Sequence, residues 1–164
     1  MERTAICPGT YDPITEGHRD IIIRCSKIFK KIVVAVSDTP KKRPLYSLVK
    51  RIDFVKRVLG GIENVEVVSF NCLLVDVAKK AKAKVIVKGL RAISDFEYEF
   101  QMAQINKKLN PEVETMFLMT NPRYAYLSSS AVKEIAALGG CIKDLVPKEI
   151  ESDIVESFNN NIFE

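Results

Sequence analysis

Apolar residues follow two alternating patterns along this chain. Residues 32–36 form a continuous apolar run, which is typical of a strand covered on both faces. Shorter runs predict four further strands, and between them apolar residues recur at spacings of three and four, which predicts amphipathic helices. The predicted strands are 4–7, 32–36, 65–68, 85–87 and 114–119, and the predicted helices are about 18–29, 48–59, 73–82, 95–109, 131–138 and 147–158.

Strands that alternate with helices at this spacing predict a parallel sheet with helices on both faces. We therefore expect an α/β fold with a Rossmann-like, doubly wound sheet of five parallel strands. No repeat, low-complexity linker or change of composition divides the chain, so residues 1–164 should form one domain that ends in a helix at about 147–158. Right-handed crossovers would bring the carboxyl ends of all strands to one edge of the sheet.

Charge and cysteine content exclude several classes of function. The net charge is +4 and much of the excess is local, in groups such as 27–31, 41–43 and 79–84, so we expect no nucleic-acid partner. No apolar run is long enough to span a bilayer and no signal-peptide pattern follows Met1, so we expect a cytoplasmic protein without a membrane partner. The four cysteines stand singly, without the C-x-x-C spacing of a zinc site.

The stretch from Cys7 to His18 carries the strongest chemical signal. It joins a predicted strand to a predicted helix, and backbone N–H groups in such a loop bind phosphate together with the positive end of the helix dipole. We expect Gly9 to let a polyphosphate approach the backbone and Gly17 to let the chain enter the helix without a Cβ clash. His18 is the only histidine, and its imidazole can donate a hydrogen bond to a phosphoryl oxygen. A surface or capping histidine is the plain alternative.

Cations and hydroxyl groups follow other predicted strands. Lys42 lies after the second strand, Lys88 and Arg91 follow the fourth, and residues 128–130 are three serines before a helix. Each group alone is more often a solvated loop, a turn or a helix cap, but ligands of open α/β sheets bind at the edge these groups share. The sequence has no G-x-x-x-x-G-K-[ST] loop, no G-x-G-x-x-G fingerprint and no serine-hydrolase elbow, which disfavours those enzyme classes.

Three motifs carry a resemblance to a known family. The segment G-T-Y-D-P followed by T-E-G-H (9–13 and 15–18) resembles the signature of the nucleotidyltransferase superfamily, whose usual form is H-x-G-H. Threonine in the first position, Thr15, is the form found in phosphopantetheine adenylyltransferases. Residues 88–99 resemble that family's second signature, and 124–130 resemble its third, a serine-rich nucleotide loop. The resemblance therefore covers essentially the whole chain.

The resemblance implies transfer of the adenylyl group of ATP to 4′-phosphopantetheine, which gives dephospho-coenzyme A and pyrophosphate in coenzyme A biosynthesis. The acceptor phosphate would attack the α-phosphorus in line, without a covalent intermediate on the protein. It also implies Mg²⁺ held through the ATP phosphates with no protein metal site, a homohexamer, and coenzyme A as a feedback inhibitor.

The same resemblance implies a role for each site residue. His18 would be the transition-state stabiliser, and Thr10, Lys42 and Arg91 would complete the catalytic set. The acceptor would contact Thr10, Lys42, Leu74 and Lys88, with Leu74 along the pantetheine channel. The residues expected to bind ATP are Thr10, Tyr11, His18, Gly89, Leu90, Arg91, Glu99, Tyr124, Ala125, Tyr126, Leu127, Ser128, Ser129 and Ser130.

The sequence departs from the family pattern at two places and leaves two other functions open. Lys88 stands where arginine is common and loses the planar two-pronged contact with a phosphate, and residues 49–50 replace a commonly acidic pair. One alternative is a nucleotidyltransferase of the same fold whose acceptor is nicotinamide mononucleotide or glycerol phosphate, which Thr15 and the 88–99 segment disfavour. The other is a regulatory module that binds ATP without turnover, which His18 disfavours.

Overall fold

The computed structural model describes residues 3–38, 43–91 and 93–159, with the side chains of 93–95 outside that description. Five strands alternate with helices along the chain. The strands are β1 (Thr4–Gly9), β2 (Lys31–Ser37), β3 (Val65–Phe70), β4 (Val85–Leu90) and β5 (Glu114–Met119). The helices are α1 (Glu16–Ser26), α2 (Leu48–Leu59), α3 (Leu74–Lys80), α4 (Ile93–Leu109), α5 (Ser129–Ala137) and α6 (Lys148–Asn159), with one 3-10 turn at Pro122–Tyr124.

All five strands are parallel, in the order β3-β2-β1-β4-β5. The chain moves outwards from β1 through β2 to β3, then crosses to the other side of β1 for β4 and β5. The order therefore reverses between β1 and β4, and in sheets of this type the ligand cleft opens beyond the carboxyl ends of the two strands at the reversal. The predicted α/β fold with a doubly wound, five-stranded parallel sheet is confirmed.

Alternating side chains of β2 are buried in two separate apolar clusters, one on each face of the sheet. Ile32, Val34 and Val36 pack into the larger cluster, and Val33 and Ala35 into the smaller. Successive side chains of a strand point to opposite faces, so a strand buried on both sides needs an unbroken apolar run. This geometry explains why the run at 32–36 predicted the strand correctly.

Several element boundaries differ from the sequence prediction, and two of them lie near the cleft. β4 runs three residues further than expected because Lys88 and Leu90 pair with β5, so the predicted Lys-Gly-Leu turn is strand. α4 begins at Ile93, two residues before the predicted start at residue 95, and the predicted cap by Ser94 or Asp95 concerns side chains outside the described ones. Within the described part of the chain, no helix is both long enough and apolar enough to cross a membrane.

Candidate active site

A cavity of about 590 Å³ opens at the carboxyl ends of β1 and β4. The loop after β1, the end of β4, the first turn of α1 and the start of α5 all contribute to its wall. The predicted site residues that line it are Thr10, Tyr11, His18, Leu74, Lys88, Gly89, Arg91, Glu99, Leu127, Ser128, Ser129 and Ser130. The three sequence motifs, which are far apart in the chain, thus meet at one cavity.

Thr15 fixes His18 in this wall through a reciprocal cap of α1. The Thr15 hydroxyl accepts the His18 backbone N–H at 3.4 Å, and the Thr15 backbone N–H donates to Nδ1 of the His18 ring at 3.1 Å. The Thr15 hydroxyl oxygen also lies 2.9 Å from Nδ1. Because Nδ1 accepts a hydrogen bond, the proton of the neutral imidazole lies on Nε2.

The surroundings of His18 keep its ring neutral. Burial, and then the positive charge of Arg91, lower the pKa of His18 from its ordinary value to about 4. The ring therefore carries no charge at neutral pH and offers a single N–H donor. The Tyr11 and His18 rings form a T-shaped contact, with ring centroids 5.2 Å apart.

The tight packing of Tyr11 explains the glycine at position 9. Tyr11 has a φ of 51°, is buried, and donates its hydroxyl hydrogen to the Cys7 carbonyl at 2.8 Å. A Cβ added at Gly9 would lie 2.8 Å from the Tyr11 ring, so Gly9 leaves room for an aromatic ring, a role that the sequence did not predict. A Cβ at Gly17 would meet no atom closer than 3.5 Å, so the expected clash at that position is wrong.

Two predicted charged residues pair with each other across the wall. The Lys88 Nζ lies 3.2 Å from Oε2 of Glu99, and both side chains are largely buried. Lys88 is predicted to contact the acceptor and Glu99 to contact ATP, and the structure places the two side chains in contact with each other. Arg91 donates from Nη1 to the Leu127 carbonyl at 2.9 Å, which joins the end of β4 to the start of the serine-rich segment.

The three serines differ in what their hydroxyl groups do. The Ser128 hydroxyl caps α5 by accepting the Ala131 N–H at 3.0 Å, and the Ser129 hydroxyl donates to the Pro13 carbonyl at 2.8 Å. Ser130 is exposed and lines the cavity. The first turn of α5 therefore presents backbone N–H groups and one hydroxyl to the cavity, and the Ser129 contact ties that turn to the loop after β1.

Some predicted residues stand apart from the cavity wall. Leu90 is buried in the sheet, and Tyr124, Ala125 and Tyr126 belong to the 3-10 turn and the segment after it without lining the cavity. Their contacts with ATP stay predictions. Lys42 lies outside the described residues, so its predicted role is also untested.

Three residues that sequence reasoning missed organise the site. Arg51 is buried and donates to the backbone carbonyls of Thr10 (2.8 Å), Ser37 (2.7 Å) and Tyr46 (3.0 Å). Asp12 is also buried and forms an ion pair of 2.6 Å with Lys133, which lines the cavity. Asp12 belongs to the first motif, but the motif alone assigned it no role. Arg51 and Lys133 give no sequence signal because each looks like an ordinary charged helix residue.

The charges of the wall favour a polyanionic ligand. Arg43, Lys88, Arg91 and Lys133 contribute four cations, against the carboxylates of Asp12 and Glu99, which are both ion-paired. In the described ranges, no three or more histidine, cysteine, aspartate or glutamate side chains come together as a metal would require.

Comparison with known proteins gives consistent results. A model of the cytidylyltransferase-like family matches residues 6–135. The phosphopantetheine adenylyltransferase of Clostridium botulinum (strain 657 / Type Ba4) is 54% identical over 158 residues, which cover 96% of this chain and 96% of the relative. That of Caldanaerobacter subterraneus subsp. tengcongensis is 56% identical over 159 residues, covering 97% of this chain and 99% of the relative.

A solved structure shares the fold at much lower identity. The structure described as a nicotinate-nucleotide adenylyltransferase from Vibrio parahaemolyticus superimposes with a TM-score of 0.73 at 15% identity. The match covers 94% of this chain and 99% of the other. At this identity the likeness shows the fold alone.

Proposed function

Because the chain belongs to the cytidylyltransferase-like family, among the phosphopantetheine adenylyltransferases, we propose that it transfers the adenylyl group of ATP to 4′-phosphopantetheine. The products are dephospho-coenzyme A and pyrophosphate, and the reaction is a step of coenzyme A biosynthesis. The family model and the two relatives confirm the resemblance found in the three sequence motifs. The structural observation that carries the proposal is the neutral His18, whose Nδ1 is occupied by Thr15, in the cavity where the motifs meet.

The chemistry of the reaction matches what the cavity offers. A phosphate monoester is already a nucleophile, so one of its oxygens attacks the α-phosphorus, the bond from that phosphorus to the bridging oxygen breaks, and pyrophosphate leaves. The protein has to align the two substrates and stabilise the charge on the five-coordinate phosphorus. The Nε2–H of His18 donates to an α-phosphoryl oxygen as that charge develops, and it does so without changing its own protonation state.

Two groups of residues hold the two substrates in this proposal. The acceptor phosphate contacts Lys88, Lys42 and Thr10, and the pantetheine arm runs along Leu74. On the ATP side, Arg91 and the first turn of α5 bind the phosphates. Lys88 is already held by Glu99, and its ammonium has three N–H donors, so it can contact a phosphate oxygen while the ion pair persists.

Mg²⁺ accompanies ATP in this proposal. The donor set fits a metal that is bound chiefly by phosphate oxygens, since the two carboxylates of the described wall are engaged by Lys133 and Lys88. When bound, the ion would neutralise part of the charge on the triphosphate.

A homohexamer completes the proposal, and exposed apolar residues support self-association. α4 presents Phe96 (42% exposed), Phe100 (48%) and Leu109 (52%), and Met119 at the end of the edge strand β5 is 64% exposed. Coenzyme A is the proposed feedback inhibitor because it contains the phosphopantetheine group of the acceptor. The location is cytoplasmic, in keeping with the absence of disulfides among the described cysteines.

Pyrophosphate release tests the choice of acceptor. The purified chain is mixed with Mg-ATP and, separately, with 4′-phosphopantetheine, nicotinamide mononucleotide or glycerol phosphate. Release only with 4′-phosphopantetheine is the expected result. Release only with one of the other acceptors would move the chain to a sister activity, and ATP binding without release under any acceptor would favour the regulatory module.

A further inference from the structure

The carboxylate of Asp12 connects three separate parts of the site. Its Oδ1 accepts the backbone N–H of Tyr46 at 2.9 Å, and its Oδ2 accepts the backbone N–H of Leu45 at 3.0 Å. Oδ2 also accepts from Lys133 Nζ at 2.6 Å. Asp12 is only 5% exposed, so these contacts form in a medium of low polarity where charged hydrogen bonds are strong.

The three contacts reach two elements, the segment before α2 and helix α5. Leu45 and Tyr46 directly follow Arg43 and Pro44, which line the cavity, and they precede α2. Lys133 lies in α5, whose first turn belongs to the ATP side. Asp12 itself lies in the loop between Thr10 and His18.

We propose that Asp12 is a positioning residue for adenylyl transfer, which fixes the segment before α2 and the start of α5 relative to the loop that carries Thr10 and His18. The inference rests on the proposed function, because it concerns the alignment of the two substrates in that reaction. Asp12 acts through the backbone of two residues and the side chain of a third. It needs no contact with either substrate.

Loss of this alignment lowers the rate more than it weakens binding. Each substrate still meets its own cations and N–H donors when Asp12 is replaced, so its dissociation constant changes little. The attacking oxygen and the α-phosphorus, however, are no longer held in line, and a displacement of about 1 Å can cost roughly 10²-fold in rate. A purely structural role would instead lower the melting temperature and leave the kcat of the folded protein near that of the wild type.

The test compares Asp12→Asn and Lys133→Met in the full chain, alone and combined. Asparagine keeps the size of the side chain but replaces one acceptor oxygen with an N–H₂ group that opposes the Leu45 N–H and the Lys133 ammonium. Asp53→Asn is the matched control because Asp53 lies in α2, is paired with Arg57 and does not line the cavity. The readouts are kcat from pyrophosphate release, the dissociation constants of ATP and 4′-phosphopantetheine by calorimetry, and the melting temperature.

We expect Asp12→Asn to lower kcat by about 10²-fold with dissociation constants within about threefold of the wild type. Lys133→Met should lower kcat by a smaller factor and, because its ammonium also lines the cavity, should weaken the binding of ATP. The kcat of the double variant should be no lower than that of Asp12→Asn, because the effect of Lys133 on alignment depends on Asp12. A folded Asp12→Asn variant with kcat within threefold of the wild type overturns the inference, as do independent, multiplicative effects of the two substitutions. If Asp12→Asn does not fold, Lys133→Met decides: unchanged kcat then overturns the inference.

The wild type in the same assay separates this inference from the proposed function. If it releases no pyrophosphate with any acceptor, the proposed function itself fails. If it is active and Asp53→Asn matches it, the result for Asp12→Asn bears on positioning alone.

Discussion

The backbone N–H of Thr15 donates to Nδ1 of His18 across 3.1 Å. This contact places the remaining proton on Nε2 and orients the ring at the first turn of α1. In the sequence motif, threonine stands where the wider superfamily has a first histidine. The structure gives this threonine two tasks, because the same residue caps the helix and sets the tautomer of the His18 imidazole.

The pKa of His18 can be measured directly, because this is the only histidine of the chain. NMR titration of its ring protons should give a midpoint near 4. The unfolded chain then binds more protons than the folded chain between pH 4 and about 6.5, so the free energy of unfolding should rise with pH across that window. A midpoint near 6.5 would contradict the proposed burial of the neutral ring.

Replacing Thr15 with valine removes the hydroxyl group while keeping the volume of the side chain nearly unchanged. The variant loses the hydroxyl cap, which costs about 1 kcal/mol in the free energy of unfolding. The backbone N–H that sets the tautomer is retained, but the hydroxyl 2.9 Å from Nδ1 is lost, so kcat should fall as the ring becomes less well oriented.

Ser47→Ala is the matched control for Thr15→Val. Ser47 caps α2 in the same way, through the Lys50 N–H, and does not line the cavity. We expect a similar loss of stability and a kcat close to that of the wild type. Equal kcat values in the two variants would argue against a role for Thr15 in orienting His18.

The sequence predicts this fold well because the decisive signals are local. The run at 32–36 reports burial on both faces of β2, and Ser47 and Gly60 mark the two ends of α2. The contacts of Asp12 and Arg51 are different. Most of them reach groups more than ten residues away in the chain, such as the Leu45 N–H and the Ser37 carbonyl, and no local pattern encodes such pairs.

Glycines 9 and 17 should respond in opposite ways to substitution by alanine. Gly9→Ala forces a Cβ to within 2.8 Å of the buried Tyr11 ring, and overpacking of this kind costs about 1–3 kcal/mol. Gly17→Ala places its Cβ in ordinary contact inside α1, where alanine is favoured over glycine by roughly 1 kcal/mol. Chemical denaturation of the two variants measures the difference, and equal destabilisation would contradict this account of Gly9.

The ion pairs of Asp153, which link α6 to α2, should make the stability of the fold sensitive to acid. Its Oδ1 accepts from Nη2 of Arg57 at 2.9 Å and its Oδ2 contacts Lys50, and these partners lower the pKa of Asp153 from 3.8 to about 2. The folded chain binds this proton less readily than the unfolded chain, so the contribution to stability is present above pH 4 and is lost as the pH falls towards 2.

Asp153→Asn tests this contribution, and Asp53→Asn is the control because Asp53 pairs with the same Arg57 but within α2. The difference in free energy of unfolding between the wild type and Asp153→Asn should shrink as the pH is lowered from 4 to 2. A difference that stays constant over this range would show that the ion pair does not titrate as described.

Quantifying both products tests whether the chain transfers an adenylyl group to 4′-phosphopantetheine with the help of His18. The wild type and His18→Ala are incubated with saturating Mg-ATP and 4′-phosphopantetheine, and dephospho-coenzyme A and pyrophosphate are both quantified. We expect equal amounts of the two products from the wild type, and a turnover lower by about 10²-fold or more in His18→Ala, which still binds ATP. Pyrophosphate without dephospho-coenzyme A, or a His18→Ala variant within a few-fold of the wild-type rate, would contradict the account.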